Sequence, residues 1–216
     1  MISIGNDIID LKKIDIERTN QINFYSKILA ASEVELYNDC KILSFENFVW
    51  LLWSVKESVF KHHKRNKPEL LFSPKKIIAQ HLDLPKNYSF QKFGKSMVEG
   101  GLFDTANCFT SKLQFDNHCF YPLSIIYTDL IFTIVTSKEM AGNICWGIKY
   151  VEDETYENQS KQVREFLLSK IIHLFDDELS FGKSESGCPV LIKNRKETSL
   201  PLSFTHHGTF IAYSFL

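Results

Sequence analysis

Ile4-Gly5-Asn6-Asp7-Ile8-Ile9-Asp10 stands at the start of the chain, and Trp53-Ser54-Val55-Lys56-Glu57-Ser58-Val59-Phe60-Lys61 follows downstream. The first stretch reads as a strand over residues 1–9, with a glycine break that presents Asp7. The second reads as helix, with Glu57 and Lys61 one turn apart on the same face. Two carboxylates and a lysine suit a magnesium site that holds a pyrophosphate. Mg²⁺ takes one or two carboxylates and completes its shell with water and phosphate oxygens, and a lysine neutralises charge on the phosphates. Each stretch also has a plainer reading: Gly-x-Asp after a strand as a turn, and Glu57–Lys61 as a solvated ion pair in the favoured order.

Working outward, Asp10 can cap a short helix over 11–17. Residues 24–29 are apolar and lead into a helix over 32–39, with Ser32 as N-cap and Glu35 completing a capping box. Ser44 starts a long helix, 45–63, stopped by Asn66-Lys67-Pro68. Trp50, Trp53, Glu57 and Lys61 share one stripe of it, and Phe45, Val49, Leu52 and Val59 form the core flank. From 75 to 140 the pattern is strand and turn, with strands expected at 77–79, 89–93, 106–115 and 123–135, and turns at Gly100-Gly101 and Asp116-Asn117. A boundary is expected at 138–143 and a strand at 145–150. A helix capped by Ser160 follows over 161–175, with Val163, Phe166, Leu167, Ile171 and Leu174 at helical spacing. The remaining features are a lysine-bearing turn, Phe181-Gly182-Lys183 to Cys188-Pro189, and Ser203-Phe204-Thr205-His206-His207 leading into a strand.

Composition narrows the class. With 44% hydrophobic and 24% charged residues the chain reads as globular, and 216 residues allow one large domain or two small ones. A net charge of −1 gives no bulk electrostatic case for nucleic acid. The five cysteines contain no C-x-x-C pair, which argues against a disulfide framework or a cysteine zinc site and suits a reducing, cytoplasmic setting. No apolar run is long enough to span a bilayer and none reads as a signal peptide, so no membrane partner is expected. The eighteen phenylalanines read as core.

The two opening motifs, taken in one register with what lies between them, resemble the 4'-phosphopantetheinyl transferase superfamily. Its hallmark is a Gly-x-Asp followed by a Trp/Phe-x-x-Lys-Glu-Ser/Ala-x-x-Lys helix. Phe24-Tyr25-Ser26-Lys27-Ile28-Leu29 to Glu33 resembles the intervening segment of holo-acyl-carrier-protein synthases, and Leu71-Phe72-Ser73-Pro74-Lys75-Lys76-Ile77 resembles the strand entry after the family's helix. Gly182-Lys183 and Ser203-Phe204-Thr205-His206 resemble the Gly-Lys-Pro and Ser-x-Thr-His segments that hold coenzyme A, although four residues separate the lysine from Cys188-Pro189. Surfactin-type members carry these segments in the opposite order and have a second acid where Ile9 stands here. The resemblance therefore implies either a permuted two-lobed enzyme or a short synthase with a long insertion, and the two-lobed reading is preferred.

What it implies is an α+β, 4'-phosphopantetheinyl transferase-like fold with two pseudo-symmetric αβ lobes, each with an antiparallel sheet and a long helix. Lobe 1–140 carries the Gly-x-Asp and Trp-x-x-Lys-Glu motifs, and the smaller lobe 141–216 carries the Gly-Lys turn and the Thr-His segment. The implied activity is transfer of 4'-phosphopantetheine from coenzyme A to a serine of an apo acyl or peptidyl carrier protein, releasing 3',5'-ADP. Asp7 and Glu57 are the expected ligands of Mg²⁺, with Mn²⁺ the other ion such a pair takes. Glu57, Lys61 and Lys56 are the expected catalytic residues. Lys183, His206, Thr205 and Arg164 are expected at coenzyme A, and Lys12, Lys13, Arg18 and Lys27 at the carrier protein. Length favours a monomer. The alternative is a non-catalytic coenzyme A or carrier-protein binding module with the same fold.

Overall fold

The computed structural model describes residues 2–86, 88, 91–101, 105–136, 143–175 and 178–216. Strand β1, Ile4–Asp10, runs unbroken through Gly5. The glycine has another purpose. Helix α4, Phe45–Lys64, crosses β1 so closely that a β-carbon on Gly5 would lie 2.1 Å from the Ser58 carbonyl oxygen and 2.6 Å from the His62 nitrogen. Small residues on the helix allow the same approach. Ser54 donates to Thr133 Oγ1 at 3.0 Å and Ser58 to the Thr133 carbonyl at 3.3 Å. Phe48, Val49, Leu51, Leu52, Val55 and Val59 form the helix's fully buried stripe, as their spacing requires.

The connection from β1 to α4 departs from expectation. Asp10 caps no helix; α1 is Ile16–Thr19, capped by Asp15, which accepts from the Arg18 N–H at 2.9 Å. Helix α2 is Ile22–Tyr25 and α3 is Ala31–Leu36. Ala30, not Ser32, occupies the N-cap of α3, and Glu33, not Glu35, accepts the Ala30 N–H at 2.7 Å. Being buried, Glu33 is drawn to every donor around it, whereas Ser32 and Glu35 face solvent or its edge.

Strands β2 (Ile78–Asp83), β4 (Phe109–Phe115), β5 (His118–Phe120), β6 (Leu123–Ile126) and β7 (Leu130–Thr136) join β1 in one antiparallel sheet, ordered β1-β7-β6-β4-β2 with β5 on β4. The strand expected over 123–135 is two strands, turned at 127–129. Of the strand expected over 89–93, residues 91–93 are irregular and 89 and 90 lie outside the described residues. Asp116 and Asn117 do turn the β4–β5 hairpin, with φ of 50° and 62°. The boundary expected at 138–143 lies, but for residue 143, outside the described residues.

A second antiparallel sheet is ordered β12-β13-β8-β3, from β3 (Met97–Gly100), β8 (Cys145–Tyr150), β12 (Leu202–His207) and β13 (Phe210–Phe215). Strand β3 occupies residues read from sequence as approaching a turn, and Ser203–His207 form a strand themselves rather than only leading into one. Helix α5, Tyr156–Ile171, begins earlier than expected with Thr155 as N-cap; Ser160 lies inside it, accepting from Arg164 at 2.6 Å. Strands β9 (Leu179–Lys183), β10 (Pro189–Lys193) and β11 (Lys196–Glu197) make a small third sheet. Gly182 and Lys183 therefore lie in a strand opposite Val190 and Pro189, and the turn is residues 184–188.

The architecture is mixed α+β with antiparallel sheets, in layers. Helix α4 covers one face of the first sheet. The other face, through Ile4, Ile8, Phe132 and Ile134, packs on Trp146, Ile148, Phe210 and Ala212 of the second sheet. Helix α5 and the β9–β10 hairpin cover the far side, around Leu167, Leu191, Ile211 and Tyr213. Among the described residues, no helix is long and apolar enough to cross a membrane.

Candidate active site

The two large sheets meet at β1 and β12. At that seam the outward N–H groups of β1 are taken by side chains rather than by a strand. Asn6 N donates to Ser203 Oγ at 3.2 Å, Ile8 N to Thr205 Oγ1 at 3.2 Å and Asp10 N to His207 Nδ1 at 2.9 Å. The period of two on both strands is that of a pleat, so Ser-x-Thr-x-His is a spacing requirement. The turn after His207 closes on the same strand. Asp10 Oδ2 accepts from Thr209 N at 2.9 Å, and Gly208, at φ +54°, leaves no room for a β-carbon, which would meet that oxygen at 2.5 Å.

Lys61 reaches this seam from α4. Its ammonium donates to Asp7 Oδ1 at 3.1 Å, to the Asn6 carbonyl at 3.0 Å and to Thr205 Oγ1 at 3.4 Å, and lies 3.5 Å from Glu57 Oε1. Thr205 donates to the same Asp7 oxygen at 3.1 Å. The effect is asymmetric: Oδ1 of Asp7 is saturated, while Oδ2 is buried without a hydrogen-bond partner among the described residues. Burial pushes the Asp7 carboxyl up to about 7; Lys61 pulls against that rise and Glu57 adds to it. For Lys61, burial disfavours the charge, but Asp7 and Glu57 outweigh it and the ammonium is held above its ordinary range. An anionic pair around one cation, with a buried carboxylate oxygen left over, fits a divalent ion with oxygen ligands.

The other expected site residues divide. Thr205 belongs to the cluster, through Asp7. His206 lies beside it: burial, then Lys61, His207 and Arg164, hold its imidazole below its ordinary pKa. Arg164 donates to the Ser160 carbonyl at 2.7 Å and its charge is felt at His206. Lys183 is exposed on β9. Lys12 pairs with Asp129 at 3.3 Å and Lys13 with Glu154 at 2.7 Å, both lining a cavity of about 370 Å³ with Lys92 and Lys95. Arg18 lies 5.1 Å over the Phe24 ring, and Lys27 is exposed.

Lys56 corrects the sequence reading. It is fully buried on the other side of α4, paired with Glu33 at 2.6 Å and donating to the Ile28 carbonyl at 2.7 Å. Glu33 also accepts from Ala79 N at 2.7 Å. Adjacent helical residues point roughly 100° apart, so the position beside Glu57 faces the core.

Lys64 and Arg65, which the sequence reading passed over, complete the surroundings with residues it named. Lys61, Lys64, Arg65, Ser186, Gly187, Cys188, Pro189 and Ser203 line a cavity of about 190 Å³ beside the cluster. Arg65 bridges α4 to the second half, donating to the Pro189 carbonyl at 3.0 Å and the Leu202 carbonyl at 2.6 Å, with its Nε buried and without a hydrogen-bond partner among the described residues. Its place one turn beyond Lys61 was the available signal.

Residues 3–97 match the family model described as the 4'-phosphopantetheinyl transferase superfamily. No curated protein and no solved structure matches the chain. The matched segment carries β1 and α4 whole, and with them Asp7, Glu57 and Lys61; β12, with Thr205, lies outside it. The superfamily transfers phosphopantetheine, uses coenzyme A, acts on carrier proteins and depends on a divalent metal. Over residues 3–97, somewhat less than half of its length, the chain is similar to the 4'-phosphopantetheinyl transferase superfamily.

Proposed function

We propose that the chain moves 4'-phosphopantetheine from coenzyme A to a serine of an apo acyl or peptidyl carrier protein, with Mg²⁺ and with release of 3',5'-ADP. The observation that carries this reading is the convergence of Asp7, Glu57 and Lys61 at the β1–β12 seam, with one buried Asp7 oxygen unpartnered among the described residues. Asp7 and Glu57 would hold the ion, which when bound supplies charge stabilisation at the pyrophosphate.

The chain's own groups do the rest. Thr205 and Lys61 fix the Asp7 carboxylate in orientation. Lys61, fixed between strand and helix, offers its positive charge to the phosphates. Glu57, half-buried, is the base for the carrier serine. The cavity lined by Lys64, Arg65, Ser186 and Ser203 takes the phosphate-bearing adenosine end, with Arg164 and His206 on the approach; Lys183 ends β9, directly before the hairpin turn that lines that cavity. Lys12, Lys13, Arg18 and Lys27 lie on the elements around β1 and α1 and receive the acidic face of the carrier. We read the chain as two related halves, 1–140 and 141–216, acting as a monomer.

Calorimetry of coenzyme A with Mg²⁺ tests the site. Wild type should bind only weakly without the ion. Asp7→Ala and Glu57→Ala should lose the ion's contribution while keeping their circular dichroism. Binding that is independent of both residues would contradict the assignment.

A further inference from the structure

Away from the seam, the far end of α4 meets the tip of the β4–β5 hairpin. His63 Nε2 lies 2.9 Å from Asp116 Oδ2, and His118, across the turn, sets its ring 5.3 Å from that of His63 at a tilt of 54°. The nitrogen and carboxylate atoms that His63, Asp116 and His118 offer all lie within 4.8 Å of one another. His118 Nδ1 donates to the Asp116 carbonyl at 2.6 Å. That bond puts the ring proton on Nδ1 and the lone pair of the neutral imidazole on Nε2, the way a supporting hydrogen bond orients a metal-bound histidine. Phe115 and Phe120 set their rings edge-on to His63 at 5.5 and 5.7 Å, which makes the inner wall apolar.

The place already attracts positive charge. Lys67 puts its ammonium on the same Asp116 oxygen, and Lys67 first and His63 second hold that carboxylate down at about 2. Lys67 is 44% exposed, so moving it to water removes a surface ion pair and little else.

We propose that His63, Asp116 and His118 form a second metal site, for a divalent transition ion of the zinc class. Two imidazoles and a carboxylate suit Zn²⁺, whereas Mg²⁺ prefers carboxylate, carbonyl and water, so the site is chemically distinct from Asp7 and Glu57. The ion takes the place of the proton between His63 Nε2 and Asp116, and of the Lys67 ammonium. Zinc-bound nitrogens lie at roughly 2.0–2.1 Å from the metal, so the ligand atoms must draw together. The exposed Asp116 and His118 side chains can move to do so, while buried His63 stays. Three protein ligands leave a position for water. The site ties the hairpin to the helix that carries Glu57 and Lys61.

The test is calorimetric titration of the chelator-treated protein with Zn²⁺ alone. His118→Ala should weaken binding about tenfold or more, the scale of losing a group that supports or makes a metal bond. Lys67→Met should tighten it, because the competing cation is gone. Asp7→Ala and Cys119→Ser should leave it unchanged. Both His118 and Lys67 are exposed, so circular dichroism of those variants should match wild type. Equal affinity in His118→Ala, loss confined to Asp7→Ala or Cys119→Ser, or no Zn²⁺ binding by wild type would each overturn the proposal.

Discussion

Lys56→Ala separates an architectural lysine from a catalytic one. The ammonium is 0% exposed and paired with an equally buried Glu33 at 2.6 Å; Glu33 also accepts the Ala30 and Ala79 N–H groups, both at 2.7 Å. Removing the lysine leaves an uncompensated carboxylate in the core and an orphaned Ile28 carbonyl. Breaking a buried pair from one side costs about 3–5 kcal/mol, and a chain of this size loses roughly 2–4 °C of Tm per kcal/mol, so Tm should fall by about 6–20 °C. Combining Lys56→Met with Glu33→Gln removes both charges and keeps an amide oxygen for one N–H. The double variant should be less destabilised than the sum of the singles, and a double-mutant cycle in urea reads that coupling. At a temperature where Lys56→Ala is folded, its transfer rate should equal wild type. Unchanged stability with lost transfer would refute the reasoning and return Lys56 to the site.

Other consequences follow from the same contacts. Thr205→Val should raise the Mg²⁺ concentration needed for half-maximal transfer by about tenfold, the usual scale for a residue that orients a ligand, and Thr205→Ser should restore it. No change in metal dependence with Thr205→Val would remove its role at Asp7. In the metal-free protein, Asp7 has a folded pKa of about 7 against 3.8 unfolded, so the folded state holds a proton that the unfolded state releases between those values. Stability contributed by that proton is present at low pH and lost as pH rises to about 7. Asp7→Asn should therefore gain in Tm over wild type as pH rises through that window; a constant difference would contradict the shift. Gly5→Ala should cost at least about 3 kcal/mol, the upper end of ordinary overpacking, because the new methyl meets helix backbone at 2.1 Å. A near-neutral effect in urea unfolding would show that α4 does not lie where the structure puts it.

Helix α4 was legible because its apolar stripe repeats at helical spacing, Ser44 precedes it and Pro68 follows. Asp7, Glu57 and Lys61 were legible because two of them share a helix face and the third ends an apolar run. Lys56 was misread because its partner, Glu33, lies in another helix, and only the fold shows that both are buried. Asp10 and Ser32 were assigned as caps by residue type, but Asp10 is occupied by Thr209, and Ser32 lies inside α3, whose N-cap is Ala30 with Glu33 accepting its N–H. Gly182-Lys183 looked like a turn because glycine permits one, yet pairing with Pro189 and Val190 made it strand. The seam of Ser203, Thr205 and His207 on β1 joins the two ends of the chain, and no local pattern announces such a contact; the alternation of polar residues was the only trace.

The most direct measurement of the central claim is the intact mass of apo carrier proteins incubated with this protein, coenzyme A and Mg²⁺. The account predicts a gain of one 4'-phosphopantetheine on a carrier serine, abolished by Glu57→Ala and by Asp7→Ala in folded variants. Coenzyme A bound with no mass gain on any carrier, or an equal gain with Glu57→Ala, would contradict it.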